Sequence, residues 1–262
     1  MKKEKKINQM QSKEPLLASP RIPKHELEAI QNIHDCYNRI DMPWSDKVAN
    51  FTNWARTRDL TRFLAREKLL QKILNTPGAI FECGTHWGGG VSSWLHLSEI
   101  YEPVAFTRRI FAFDTFKGFP SVKAEDISKE YQSKSGDFNL GDSANDVKTT
   151  LQAIEDTRKI TNVNRLTIVE GDVSETVKTT LESDHSISIA LLYLDLDLYE
   201  PTMAAIKYCL PRMPKGAIVV LDEYADTTWP GETKALMDSI GISKVKIKCF
   251  PWCPRISYFE IQ

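Results

Sequence analysis

The stretch LLYLDLDLYEPT, residues 191–202, closes an apolar run with two aspartates spaced two apart, Asp195 and Asp197. In an extended strand that spacing sets both carboxylates on one face and Leu194, Leu196 and Leu198 on the other. Two like charges about 7 Å apart repel unless a positive group lies between them. A cation, a polarised substrate or a helix terminus serves. A second acidic pair, Asp222 and Glu223, ends the apolar run AIVVLDEY, residues 217–224. If the two runs are neighbouring parallel strands, four carboxylates meet at one sheet edge. Oxygen-only ligands suit a hard divalent ion, Mg²⁺ first, with Ca²⁺ or Mn²⁺ as alternatives. The expected ligands are Asp195, Asp222 and Glu223. Asp197 is left free close by as the general base. The competing reading has Asp197 and Glu200 capping a helix that starts near Pro201. It accounts for one of them and not for all four carboxylates.

A second site signal precedes this one. AIFECGTHWGGGVSSW, residues 79–94, sets Gly84, Gly88, Gly89 and Gly90 between an apolar run and a helical pattern. Glycines let a backbone turn sharply and approach a ligand, and the following helix N-terminus attracts negative charge. The dinucleotide pattern G-x-G-x-x-G does not fit, because residue 86 is His. The pattern is acidic-x-Gly-x-x-x-Gly, from Glu82, Gly84 and Gly88, and it resembles the first motif of S-adenosylmethionine methyltransferases. In those enzymes the loop holds the amino-acid end of the cofactor. Asp114 ends the run IFAFD, where an acidic residue can accept both ribose hydroxyls. Asp172, in VEGDVSE, stands where methyltransferases often face the adenine edge. Either aspartate could instead cap its next helix.

The elements that must position these residues are legible from periodicity. Residues 23–42 carry Leu27, Ile30, Ile33, Tyr37 and Ile40 at helical spacing, and residues 57–75 predict a second helix that the following Thr-Pro-Gly stops. After residue 76, short apolar runs alternate with helical stretches. That alternation predicts a parallel sheet covered on both faces, a Rossmann-like doubly wound α/β domain, with residues 244–260 as an antiparallel edge. The expected organisation is a mobile tail over 1–22, a helical lid region over 23–75 and the α/β domain over 76–262. The long segment 117–148 is expected to cover the site; within it Asp142 and Ser143 are cofactor-contact candidates. His86 is an alternative base. Trp87, Trp94 and Trp229 are candidates for stacking on a sugar, with core packing the better reading for Trp94.

The chain has 262 residues and a formal net charge of -1, so no basic field points to nucleic acid. The Lys-rich opening is no signal peptide, and no apolar run approaches the roughly 18–20 residues that span a bilayer. Five cysteines without a regular framework suit a reducing cytoplasm. Cys249 and Cys253 lack the second pair a zinc site needs.

Taken in order, FECG, FDTFKGFP, YLDLDLYEPT and VVLDEY resemble the macrocin O-methyltransferase family, which includes mycinamicin and novobiocin sugar methyltransferases. RTRDLTRFLAREKLLQKI is similar to its lead-in helix, and the likeness covers residues 45–240. The resemblance implies Mg²⁺-dependent transfer of a methyl group from S-adenosylmethionine to a hydroxyl, often on a sugar. It implies metal ligands Asp195, Asp222 and Glu223, base Asp197, and cofactor contacts at Glu82, Gly84, Thr85, Gly88, Asp114, Ser143 and Asp172. It also implies a homo-oligomer and a small-molecule partner containing a sugar. Glu223 stands where the family commonly has Asp, and HWGGG and the Trp229–Pro230 segment depart from its pattern near the expected acceptor site. Two rival expectations are a metal-dependent glycosyltransferase, which also uses D-x-D, and a non-catalytic protein with this fold. The first leaves the glycine loop and Asp114 without a role.

Overall fold

The computed structural model describes residues 22–262, so the expected tail lies, but for its last residue, outside the described residues. The chain divides at Leu60 and Thr61 into two compact units. The described part of the first holds α1 (Lys24–Arg39), α2 (Trp44–Ala49) and a 3₁₀ turn. Tyr37 and Trp54 meet edge-on at 5.4 Å, and Lys47 donates to the Tyr37 carbonyl at 2.8 Å while lying over its ring. These contacts tie α1 to the α2 turn.

The second unit carries a seven-stranded sheet in the order β3-β2-β1-β4-β5-β7-β6. Its strands are β1 (Ala79–Cys83), β2 (Ile110–Asp114), β3 (Leu166–Glu170), β4 (Ile189–Leu194), β5 (Ile218–Leu221), β6 (Lys248–Phe250) and β7 (Cys253–Glu260). The first five run parallel; β7 and β6 pair antiparallel at one edge. Helices α3 (Thr57–Ile73), α4 (Gly89–Tyr101), α5 (Ser143–Asp156), α6 (Val173–Ser183), α7 (Tyr199–Cys209) and α8 (Pro230–Ser239) complete the element order. This is the expected doubly wound α/β fold.

Strand alternation sorts the core into two layers. Ile80 of β1 packs with Leu69 and Leu70 of α3, Trp94 of α4 and Leu151 of α5. Ala79, Phe81 and Cys83 face the other way, against Val177 of α6, Ile206 of α7 and Leu236 of α8. With both faces covered, the central strands are buried throughout, and Glu82 of β1 is the one charged side chain they enclose. The order reverses between β1 and β4, so the crevice above their C-terminal ends is where such a sheet takes a ligand. Among the described residues no helix is long and apolar enough to cross a membrane.

Candidate active site

The β1–α4 loop is built on positive dihedrals. Gly84 sits at φ +97°, and a Cβ there would overlap the Asp195 carbonyl oxygen. The two chain segments that bear the glycine loop and the first aspartate therefore touch backbone to backbone. Gly84 also donates to the Phe113 carbonyl at 2.9 Å, and Asp195 to the Cys83 carbonyl at 2.9 Å. Thr85 is buried, with its hydroxyl 3.4 Å from the same Phe113 carbonyl. Gly88, at φ +82°, precedes α4, and a Cβ on Gly89 would meet nothing within 4 Å. That open helix N-terminus is the cradle a carboxylate end of a cofactor fits.

Glu82 is 1 % exposed. Its carboxylate accepts the indole N–H of Trp94 and lies where a Cβ on Gly90 would be, under the first turn of α4. Trp94 is thus a core residue. Burial pushes Glu82 up to about 7, against the pull of Arg66. An unfolded glutamate titrates at 4.5, so the native state holds a proton that the unfolded chain releases. This stabilisation is complete below the unfolded value and is lost as pH rises through the folded one. Glu82→Gln, which keeps the neutral shape, should flatten the decline in Tm between about pH 5 and pH 8. An unchanged slope in a pH series of thermal melts would assign the decline to other groups.

At the end of β2, Asp114 accepts the backbone N–H of His86 at 2.7 Å and of Phe116 at 2.6 Å, one on each oxygen. Each oxygen keeps a further lone pair for a ligand hydroxyl. Asp114 therefore pins the glycine loop to its own turn. His86 itself is at φ +46°, and burial lowers its imidazole. Asp172 caps α6 through Ser174 N–H at 2.9 Å. Asp142 is the residue before α5, and Ser143 opens that helix. A cleft of about 640 Å³ lies beside these strand ends, lined by Thr115, Gly118, Glu170, Gly171 and Asp172 among others.

The acidic pairs converge differently from the strand-alternation argument. β4 ends at Leu194, and Asp197 stands at φ +61°, so the two aspartates are not on one strand face. A turn brings them together: ligand-type oxygens of Asp195, Asp197 and Glu223 lie within 4.8 Å of one another. Asp222 is drawn aside. Its Oδ1 accepts Arg62 at 2.7 Å and the buried Tyr193 hydroxyl at 2.5 Å. Arg62 also reaches Asp195 Oδ2 at 3.2 Å. Arg255, on β7, donates through Nε to Glu223 Oε1 at 2.9 Å and through Nη2 to the same oxygen. Glu232, on α8, is fully buried and accepts the Glu223 N–H at 3.0 Å. Arg62, Tyr193, Glu232 and Arg255 had no signal in the sequence reading. Arg62 is one of several arginines in its helix, and Arg255 lies past the last acidic motif.

Five carboxylates thus face two guanidiniums, with Arg66 placed instead over the Tyr193 ring. The electrostatics reflect the imbalance. Burial and the neighbouring Asp222 push Asp195 up to about 6; burial and Asp195 raise Asp197; burial and Asp222 raise Glu223. Asp222 is held below its usual range by Arg62 and Arg66 despite burial. Glu223 Oε2 and Asp222 Oδ2 are buried with no hydrogen-bond partner among the described residues. Buried acidic oxygens without hydrogen-bond donors and more carboxyl groups than guanidiniums fit a divalent cation.

Segment 115–142 packs over this region. Phe119, Tyr131 and Phe138 surround Trp229, with ring centroids 6.1, 4.9 and 5.7 Å away. Trp229, 7 % exposed, is an anchor and not an open stacking platform, whereas Trp87 is 60 % exposed. Asp126 accepts the Tyr199 N–H at 2.6 Å and so fastens the segment to the start of α7. Trp229→Ala removes a buried aromatic, a loss of about 3–5 kcal/mol where the site cannot collapse. Trypsin should then cut at Lys117, Lys123, Lys129 or Lys134 faster than in the wild type. Equal cleavage rates would show that the segment is held without Trp229.

Residues 10–239 match the macrocin-O-methyltransferase family. A tetracenomycin rhamnosyl 4'-O-methyltransferase of Streptomyces olivaceus is 27% identical over 57% of this chain and 54% of its own length. The mycinamicin III 3''-O-methyltransferase of Micromonospora griseorubida is 24% identical over 64% of this chain and 63% of its own. The chain thus spans just over half to under two thirds of these curated relatives. The crystal structure of CalS11, a calicheamicin methyltransferase, superposes with a TM-score of 0.86 at 34% identity, covering 93% of this chain and 95% of that one. The family and these relatives are O-methyltransferases, which use S-adenosylmethionine. With a match over most of its length and the glycine loop and acidic motifs in place, this chain belongs to the macrocin O-methyltransferase family.

Proposed function

We propose that this protein is an S-adenosylmethionine-dependent O-methyltransferase whose acceptor is a hydroxyl on the sugar of a glycosylated metabolite, and that it works with Mg²⁺. The observation that carries the reading is the convergence of Asp195, Asp197 and Glu223 oxygens just past the ends of β4 and β5, with the Asp195 backbone in contact with the glycine loop. The printed activities of the relatives support the acceptor class. We assign the helix-opening loop (Gly84, Thr85, Gly88), Asp114, Ser143 and Asp172 to the cofactor, with Glu82 supporting the loop from below. Asp195, Asp222 and Glu223 would hold the ion, Asp222 through Oδ2, which accepts no hydrogen bond among the described residues. When bound, the cofactor supplies an electrophilic methyl group and the ion a charge that lowers the pKa of the acceptor hydroxyl.

The chain's own residues do the rest. Asp197, whose oxygens converge with those of Asp195 and Glu223, takes the hydroxyl proton on a carboxylate oxygen. Segment 115–142, closed by Trp229 and Asp126, excludes water and orients the acceptor. Residues 76–262 serve as the catalytic domain of a cytoplasmic homo-oligomer. Calorimetric titration with S-adenosylhomocysteine, in Mg²⁺ and in EDTA, tests the core of this reading. Micromolar binding is expected, followed by methylation of a glycosylated acceptor that EDTA suppresses. Absence of binding in both conditions would overturn the cofactor assignment, and turnover undiminished in EDTA would overturn the ion.

A further inference from the structure

The three expected ion ligands are bridged in pairs by guanidinium groups. Arg62 Nη2 lies 3.2 Å from Asp195 Oδ2 and 2.7 Å from Asp222 Oδ1. Arg255 Nε lies 2.9 Å from Glu223 Oε1 and 3.6 Å from Asp222 Oδ2. Each arginine therefore stands between two carboxylates that a single ion would have to share. We propose that Arg62 and Arg255 are resident counter-cations of the acid cluster, and that Arg255 is the one displaced when a divalent ion takes Glu223.

The two arginines are not equivalent. Arg62 shares Asp222 with the Tyr193 hydroxyl, so Asp222 is fixed from two sides. Arg255 has both its donated bonds on one oxygen of Glu223, and its side chain is 42 % exposed against 31 % for Arg62. The Arg255 head can therefore turn to water at small cost, and Glu223 is the carboxylate that converges with Asp195 and Asp197. A cation and a guanidinium on the same carboxylate repel, and a single positive charge beside the seat weakens ion binding. In exchange, Arg255 keeps Glu223, 2 % exposed, from standing as an uncompensated buried charge before the ion arrives.

This inference rests on the ion reading of the proposed function, and the experiment separates the two. Mn²⁺ binding to the full chain is followed by loss of the free-ion EPR signal, for the wild type, Arg255→Met and Arg255→Lys. Arg255→Met should bind about tenfold more tightly than wild type, while Arg255→Lys, which keeps the charge, stays close to wild type. Arg255→Met should also melt lower than wild type without ion and gain more in Tm from added Mg²⁺. Equal or weaker binding by Arg255→Met overturns the exchange while leaving the ion reading intact. No binding by wild type or variant overturns the ion reading and the exchange with it. Should Arg255→Met fail to fold, the wild type still decides. Its Arg255 Nε–H resonance, assigned by its loss in Arg255→Lys, must shift on Mg²⁺ saturation, and an unmoved resonance overturns the exchange.

Discussion

Asp197→Asn should lower kcat by about a hundred- to ten-thousandfold while the affinity for S-adenosylhomocysteine stays within about twofold of wild type. The amide keeps the shape of the side chain and cannot take a proton. Asparagine is also the right choice for the backbone. Asp197 stands at φ +61°, a conformation that Asn accepts and that alanine adopts only with strain. Loss of activity in Asp197→Ala would mix chemistry with backbone distortion. Burial and Asp195 already disfavour the charged form of Asp197, so the neutral amide adds no electrostatic cost and the Tm should equal or exceed that of wild type. Product formation by mass spectrometry gives kcat, calorimetry the cofactor affinity. Full turnover in Asp197→Asn would remove Asp197 as the base and bring His86 forward.

Gly84→Ala should abolish stable folding, or lower Tm by more than about 10 °C and remove cofactor binding. Two costs add. The φ of +97° disfavours any side chain, by about 1–2 kcal/mol. The new methyl also overlaps the Asp195 carbonyl oxygen, a backbone atom fixed on the strand pairing of β1 with β4. Neither strand can retreat, because β2 and β5 flank them. Gly89→Ala is the matched control. Its Cβ meets nothing within 4 Å, and alanine in a helix gains about 0.5–1 kcal/mol over glycine. It should fold as well as wild type and lose affinity for S-adenosylhomocysteine alone, if the cofactor lies over that turn. Normal folding of Gly84→Ala would show that the loop can move away from β4.

The sequence by itself determined the architecture and the chemical cast. Buried parallel strands must be apolar along their length, helices must show a 3.6-residue stripe, and the two periods alternate visibly after residue 76. The glycine loop and the strand-end acids were legible for a related reason. They are local, held by turn conformation and position at a strand's end, and they need no distant partner to be recognised. The pairing of charges was not legible. Asp222 meets Arg62 across 160 positions and Glu223 meets Arg255 across 32, so no window of sequence joins them. Tyr193 reads as one more apolar residue of β4 until β5 sets Asp222 beside its hydroxyl. The strand-face argument for Asp195 and Asp197 reached the right neighbourhood by the wrong route, since β4 stops at Leu194 and a left-handed residue makes the approach. Side-chain alternation holds only while the ladder of hydrogen bonds continues, and where that ladder ends is set by the adjoining strands and by the glycine loop pressed against Asp195. Which carboxylate finds a cation, and which remains bare, was therefore decided by the tertiary structure, because electrostatic energy depends on distances between groups that the chain order leaves free.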